Sequence, residues 1–117
     1  MIKGKSMVSE EMELNHYLGE FGIEALEADL GEYIVQLAGQ LPSHIVMPAI
    51  HMNTRQIAEL FAEKLEGVGY IEDAEELTKV AREILRHKFF DADVGVSGVN
   101  FAVAETGSLV LIENEGN

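Results

Sequence analysis

From residue 92 onward the chain carries three short apolar runs, Val94 to Val96, Phe101 to Ala104 and Leu109 to Ile112, each β-branched or aromatic-rich and punctuated by Gly or by Glu105-Thr106-Gly107-Ser108. Runs of this kind read as strands. Upstream the apolar period changes. Leu14, Tyr17, Leu18 and Phe21 fall at i, i+3, i+4 and i+7, which predicts a helix near residues 9–20, with Glu10 and Glu11 by its positive end and Gly22 to stop it. Asp29-x-x-Glu32 opens a segment carrying Leu30, Ile34 and Leu37. Asn53-x-x-Gln56 precedes Ile57, Leu60, Phe61 and Leu65, and Asp73-x-x-Glu76 precedes Leu77, Val80, Ala81, Ile84 and Leu85. These patterns predict helices near 53–66 and 73–90.

Two further apolar runs lie among the helices. Ile23 to Ala28 is a candidate strand, and Ile45-Val46-Met47, following Pro42-Ser43, has the continuous pattern of a strand buried on both faces. Helices alternating with short strands indicate an α/β fold with a parallel-rich sheet. Gly67 to Glu72 is the one loose stretch, with glycines suited to a mobile or insertion-tolerant loop.

At 117 residues and 47% hydrophobic content the chain is one domain or part of one, globular in class. It has no cysteine, which removes disulfides, thiolate zinc sites, cysteine nucleophiles and protein-ligated iron-sulfur clusters from these residues. Eight basic residues against 21 acidic ones give a net charge of −13, which repels nucleic acid and anionic membrane surfaces. No apolar stretch approaches the roughly 18 to 20 residues that span a bilayer, and no signal-peptide pattern opens the chain, so a cytoplasmic protein is expected.

Several residues could carry chemistry. Gly4-Lys5-Ser6 precedes a helix, so Lys5 and Ser6 could hold a carboxylate or phosphate at a strand end; the other reading is a solvated Lys and an N-capping Ser. A nucleotide phosphate loop is excluded, since it needs a glycine five positions before its Gly-Lys. Glu11 and Asn15 are four apart and would share one helical face. His44 and His51 bracket the Ile45-Val46-Met47 run and so cannot share a metal. His51, just before a helix, stands where open α/β sheets place ligand groups, or else serves the loop. His16 and His87 read as surface residues. Glu105-Thr106-Gly107-Ser108 suits a hairpin with Gly107 at positive φ; a carboxyl at Glu105 between buried strands would also be desolvated and equipped for proton transfer. The remaining acidic positions, Glu27 and Asp29 among them, read mostly as solvated surface, and the methionines as core filler.

Three segments, Lys3 to Asn15, Asp29 to Leu37 with Pro42 to His51, and Ala92 to Asn117, resemble in order and spacing the core signature of the LUD (lactate-utilisation) domain family. The likeness is strongest to the iron-sulfur subunits of bacterial L-lactate oxidation complexes. It implies a three-layer α/β/α Rossmann-like fold, similar to ribose-phosphate isomerases, glucosamine-phosphate deaminases and CoA transferases. It further implies that residues 1–117 are a single, truncated domain, and that a ferredoxin-like region with 4Fe-4S clusters lies outside it. In the family signature Asn100 and Glu105 lie close to the presumed pocket.

The leading expectation is therefore a piece of an electron-transfer subunit acting in cytoplasmic oxidation of L-lactate to pyruvate. It would be inactive in redox chemistry by itself, with other subunits as partners and a small organic acid as ligand. Lys5, Ser6, Asn15, His51, Asn100, Thr106 and Gly107 are the candidate binding residues, with Glu105 as acid, base or nucleophile. The competing readings are a stand-alone isomerase, transferase or ligase using Glu105, and a non-catalytic docking domain. Self-association is also expected, through apolar surface and an unpaired sheet edge near Leu109 to Ile112.

Overall fold

A computed structural model of the chain describes residues 1–4 and 6–112; readings that fall on Lys5 and on residues 113–117 lie outside them. The elements run β1 (Ile2–Lys3), α1 (Met7–Glu11), α2 (Leu14–Glu20), β2 (Leu26–Glu27), α3 (Leu30–Ala38), α4 (Thr54–Lys64), α5 (Ala74–Asp91), β3 (Gly95–Val96), β4 (Phe101–Val103) and β5 (Ser108–Val110). Helices joined to a parallel sheet make this an α/β fold. Two compact units divide the chain, one formed by Met1–Asp29 with the chain from Ala92 onward, the other by Leu30–Asp91.

In the first unit β1 is the middle strand of a parallel sheet ordered β2-β1-β3. Ile2 stands opposite Leu26 and Gly95, and Lys3 opposite Glu27 and Val96. The ladder extends past the strands, with Gly4 N donating to Val96 O at 2.8 Å and Ala28 N to Lys3 O at 2.8 Å. β4 and β5 pair antiparallel, Phe101 opposite Val110 and Val103 opposite Ser108. The turn between them has Gly107 at φ +69°, a conformation that costs glycine nothing, as expected for a hairpin. Its strands are exposed along their whole length, whereas the sequence reading placed this turn between buried strands.

The second unit is helical, with a core of Ile34, Ala58, Phe61, Leu77 and Ala81. All of these but Ala58 are positions marked by the helical period, and the starts of two helices follow from their caps. Asn53 Oδ1 accepts from Gln56 N at 3.0 Å while Gln56 Oε1 accepts from Asn53 N at 3.0 Å, a complete capping box for α4. Asp73 Oδ1 accepts from Glu76 N at 2.9 Å at the head of α5. Val68 and Ile71 pack against the core, so the glycine-rich loop is anchored rather than loose.

Three expectations are corrected. The helix expected over 9–20 is broken into α1 and α2 by Glu13, whose φ of 51° is left-handed. Such a conformation costs a non-glycine residue on the order of 1–2 kcal/mol. The break redirects α2, whose Asn15 makes a tertiary hydrogen bond described below, and Glu11 and Asn15 no longer share one continuous helix. Tyr17 and Phe21 remain exposed and pack edge-on against each other, ring centroids 5.1 Å apart.

Ile45-Val46-Met47 is not a strand. All three side chains are exposed, and His44 Nδ1 accepts from both Val46 N and Met47 N at 3.1 Å, taking the donors a ladder would need. Nor are the methionines generally core: Met52 packs against the helical core, while Met7, Met12 and Met47 are exposed.

Candidate functional site

β1 is central in a sheet whose chain passes first to one side, to β2, and later to the other, to β3. That reversal makes the carboxyl ends of β1 and β3 a topological switch point, where open α/β sheets bind ligands. Lys3 ends β1 and Glu27 ends β2, in register. Lys3 Nζ lies 2.7 Å from Glu27 Oε1, with the two side chains only 1% and 5% exposed. Asn15 Nδ2, from α2, donates to the same oxygen at 2.7 Å. Ser6 Oγ, just beyond β1, accepts from Ser9 N at 3.3 Å and so caps α1. Its capping reading holds.

The electrostatics follow from burial. A charged ammonium survives away from water only beside a counter-charge, and here the counter-charge is itself held by a carboxamide. Asp29, two residues past β2, is also buried. Among the described residues, Asn15 Oδ1 and Glu10 Oε1 are enclosed without a hydrogen-bond partner. No group of three or more His, Asp or Glu placed to hold a metal occurs among the described residues.

The candidates read from the sequence fall into three places. Ser6 and Asn15 stand in the grouping just described; Lys5 lies outside the described residues. Asn100, Glu105, Thr106 and Gly107 belong to the hairpin. Asn100 Oδ1 accepts from Ile112 N at 2.8 Å and Thr106 Oγ1 donates to Ser108 Oγ at 2.8 Å, so both tie the hairpin together, while Glu105 is exposed at its turn. His51 lies in the helical unit, its Nδ1 2.7 Å from Ser43 Oγ and its Nε2 2.7 Å from Gln40 Oε1. His16 and His87 are exposed, as read.

Lys3 and Glu27 were missed. The available signal was one lysine closing a short apolar run before Gly4 and one acid within the apolar run Ala25 to Ala28. Opposite charges at the ends of two candidate strands become a pair only once the register is known.

The helical unit also holds a cavity of about 130 Å³ lined by Leu30, Ile34, Ile57, Phe61, Thr54 and Thr78, among others. Thr78 Oγ1 donates to Ala74 O at 2.8 Å, leaving the lining almost wholly apolar.

The chain is thus an α/β chain with a buried Lys3–Glu27 pair at the carboxyl ends of β1 and β2. This chain belongs to the LUD domain family, whose model matches residues 1–117. It is similar to Lactate utilization protein B of Bacillus thuringiensis (strain Al Hakam), Lactate utilization protein B 2 of Bacillus mycoides (strain KBAB4) and Lactate utilization protein B of Bacillus anthracis (strain CDC 684 / NRRL 3495). Each is 56% identical over 117 residues, the whole of this chain and 24% of the relative. The chain thus spans about a quarter of the length of these relatives. No solved structure matches it.

Proposed function

We propose that this chain is the LUD-domain part of a cytoplasmic protein of L-lactate utilisation, working in a multi-subunit system that oxidises L-lactate to pyruvate. The observation that carries this reading is 56% identity across all 117 residues to proteins named for lactate utilisation. The grouping at the strand ends supports a small hydroxy acid as the ligand, with Lys3 toward its carboxylate and Asn15 Oδ1, enclosed without a hydrogen-bond partner, accepting from its hydroxyl.

Electron transfer through 4Fe-4S clusters is part of the same reading, carried by other parts of the full-length subunit. The residues present do not fit a cluster, because ligation takes thiolates and the chain has no cysteine. Exposed Phe101, Val103, Leu109 and Val110 on the hairpin favour a docking role for that element beside the binding role of the sheet.

The test is a chimera. In a Bacillus strain lacking its own lactate utilization protein B, the gene is restored with the matching 117-residue stretch replaced by this chain. Growth on L-lactate should return. If the chimeric protein accumulates in folded form and growth does not return, the reading fails. The same chimera with Glu27→Gln should grow poorly on lactate and normally on glucose; unaffected growth on lactate would remove the switch-point grouping from the site.

A further inference from the structure

His51 stands apart from the Lys3–Glu27–Asn15 grouping. In the helical unit it is the middle of a hydrogen-bonded chain, Gln40 Oε1 to His51 Nε2 and His51 Nδ1 to Ser43 Oγ, each 2.7 Å long. The direction of that chain is set by chemistry. A carboxamide oxygen has no proton, so Nε2 carries one and donates to Gln40. Nδ1 is then left with its lone pair, and the one proton of the Ser43 hydroxyl has two acceptors in reach, His51 Nδ1 at 2.7 Å and Pro48 O at 3.1 Å, of which the nearer is the imidazole.

The result is a hydroxyl hydrogen-bonded to a base that is oriented by a third group, the arrangement that activates serine nucleophiles. Its backbone is fixed. Gly39 N donates to Gln36 O at 3.0 Å and Gln40 N to Val35 O at 3.1 Å, the two bonds of a Schellman end on α3, with Gly39 at φ +65°. Ser43 N donates to Pro48 O at 3.1 Å, closing the loop that carries the nucleophile. Ser43 and His51 are both exposed, so a reagent can reach them.

We propose that Ser43 is an activated nucleophile that takes acyl groups from small activated esters or thioesters, with His51 as general base and Gln40 as the positioning residue. In the step, Ser43 Oγ attacks the acyl carbon and its proton passes to His51 Nδ1. The bond from the acyl carbon to the leaving alkoxide or thiolate breaks, and the leaving group takes the proton from the imidazolium. O-acyl-Ser43 and a free alcohol or thiol remain, and no oxidant or reductant enters. The proposal is independent of the lactate reading.

The experiment uses the 117-residue chain with p-nitrophenyl acetate and, separately, an alkyl fluorophosphonate, followed by intact mass and peptide mapping. A single label is expected, on Ser43 and on none of Ser6, Ser9, Ser97 or Ser108, absent in Ser43→Ala. His51→Gln keeps groups able to hold both hydrogen bonds but cannot act as a base, and should label about tenfold or more slowly. Gln40→Leu should slow labelling, and Gln40→Glu should restore it. Unlabelled native chain, label spread over several serines, or equal rates in His51→Gln would each overturn the proposal.

Discussion

A lysine with a side chain 1% exposed keeps its place only through the carboxylate beside it, so Lys3 and Glu27 stand or fall together. Lys3→Met should destabilise the chain by a few kcal/mol at most, roughly 3, because the buried Glu27 carboxylate would lose the ammonium 2.7 Å away while keeping its bond from Asn15. Urea unfolding measures this, and the double variant Lys3→Met/Glu27→Leu should recover a large part of the loss. If the double variant were no better than the single one, the pair would not be the reason. Tyr33 gives a second residue-scale expectation. Burial raises its phenol above the ordinary value, partly opposed by the charge of Lys88. Above about pH 10 the unfolded chain gives up this proton while the folded one holds it, so stability is full below that pH and falls as pH rises further. Urea midpoints compared at about pH 9 and pH 11 should fall for the native chain and fall less for Tyr33→Phe.

At the scale of elements, the helices with caps and period together were legible from the sequence, because both signals are local. Asn53 and Gln56 bond each other's backbone across three residues, and no distant group is needed. Asn53→Ala should therefore cost about 1 kcal/mol of stability, seen as a lower urea midpoint with an unchanged slope. An unaltered midpoint would mean that packing of Phe61 and Ala58 alone sets the start of α4. Where local signals competed, the sequence reading failed. The apolar pattern of Ile45 to Met47 lost to the His44 ring, which bonds two of its amides, and the stripe from Leu14 to Phe21 lost its continuity at Glu13.

For the molecule as a whole, charge and apolar surface oppose each other. A net charge of −13 keeps copies apart, while the hairpin exposes Phe101 at 61% and Leu109 at 66%. A two-stranded hairpin is marginal by itself in water, which favours its taking a partner. Self-association should therefore strengthen with added salt, as screening over about 10 Å at 0.1 M removes repulsion and leaves apolar attraction. Sedimentation velocity at low and high salt measures it, and Phe101→Lys with Leu109→Glu should return the chain to a monomer. A monomer at all salt concentrations would overturn the expectation.

The sequence by itself determined the α/β class, the cores of α4 and α5, the hairpin turn at Gly107 and membership of the LUD family, since each rests on spacing within a few residues or on order along the chain. Ser6 was legible as a polar residue at a strand end, and Asn15 as one on a helix face. Only the tertiary structure decided what they meet. The partner of Lys3 lies 24 positions away on a neighbouring strand, and whether two distant charges form a buried pair depends on sheet register, which hydrophobic runs of two or three residues do not encode. The same holds for His51, whose partners Ser43 and Gln40 come within hydrogen-bonding reach only because the loop folds back instead of running on as a strand.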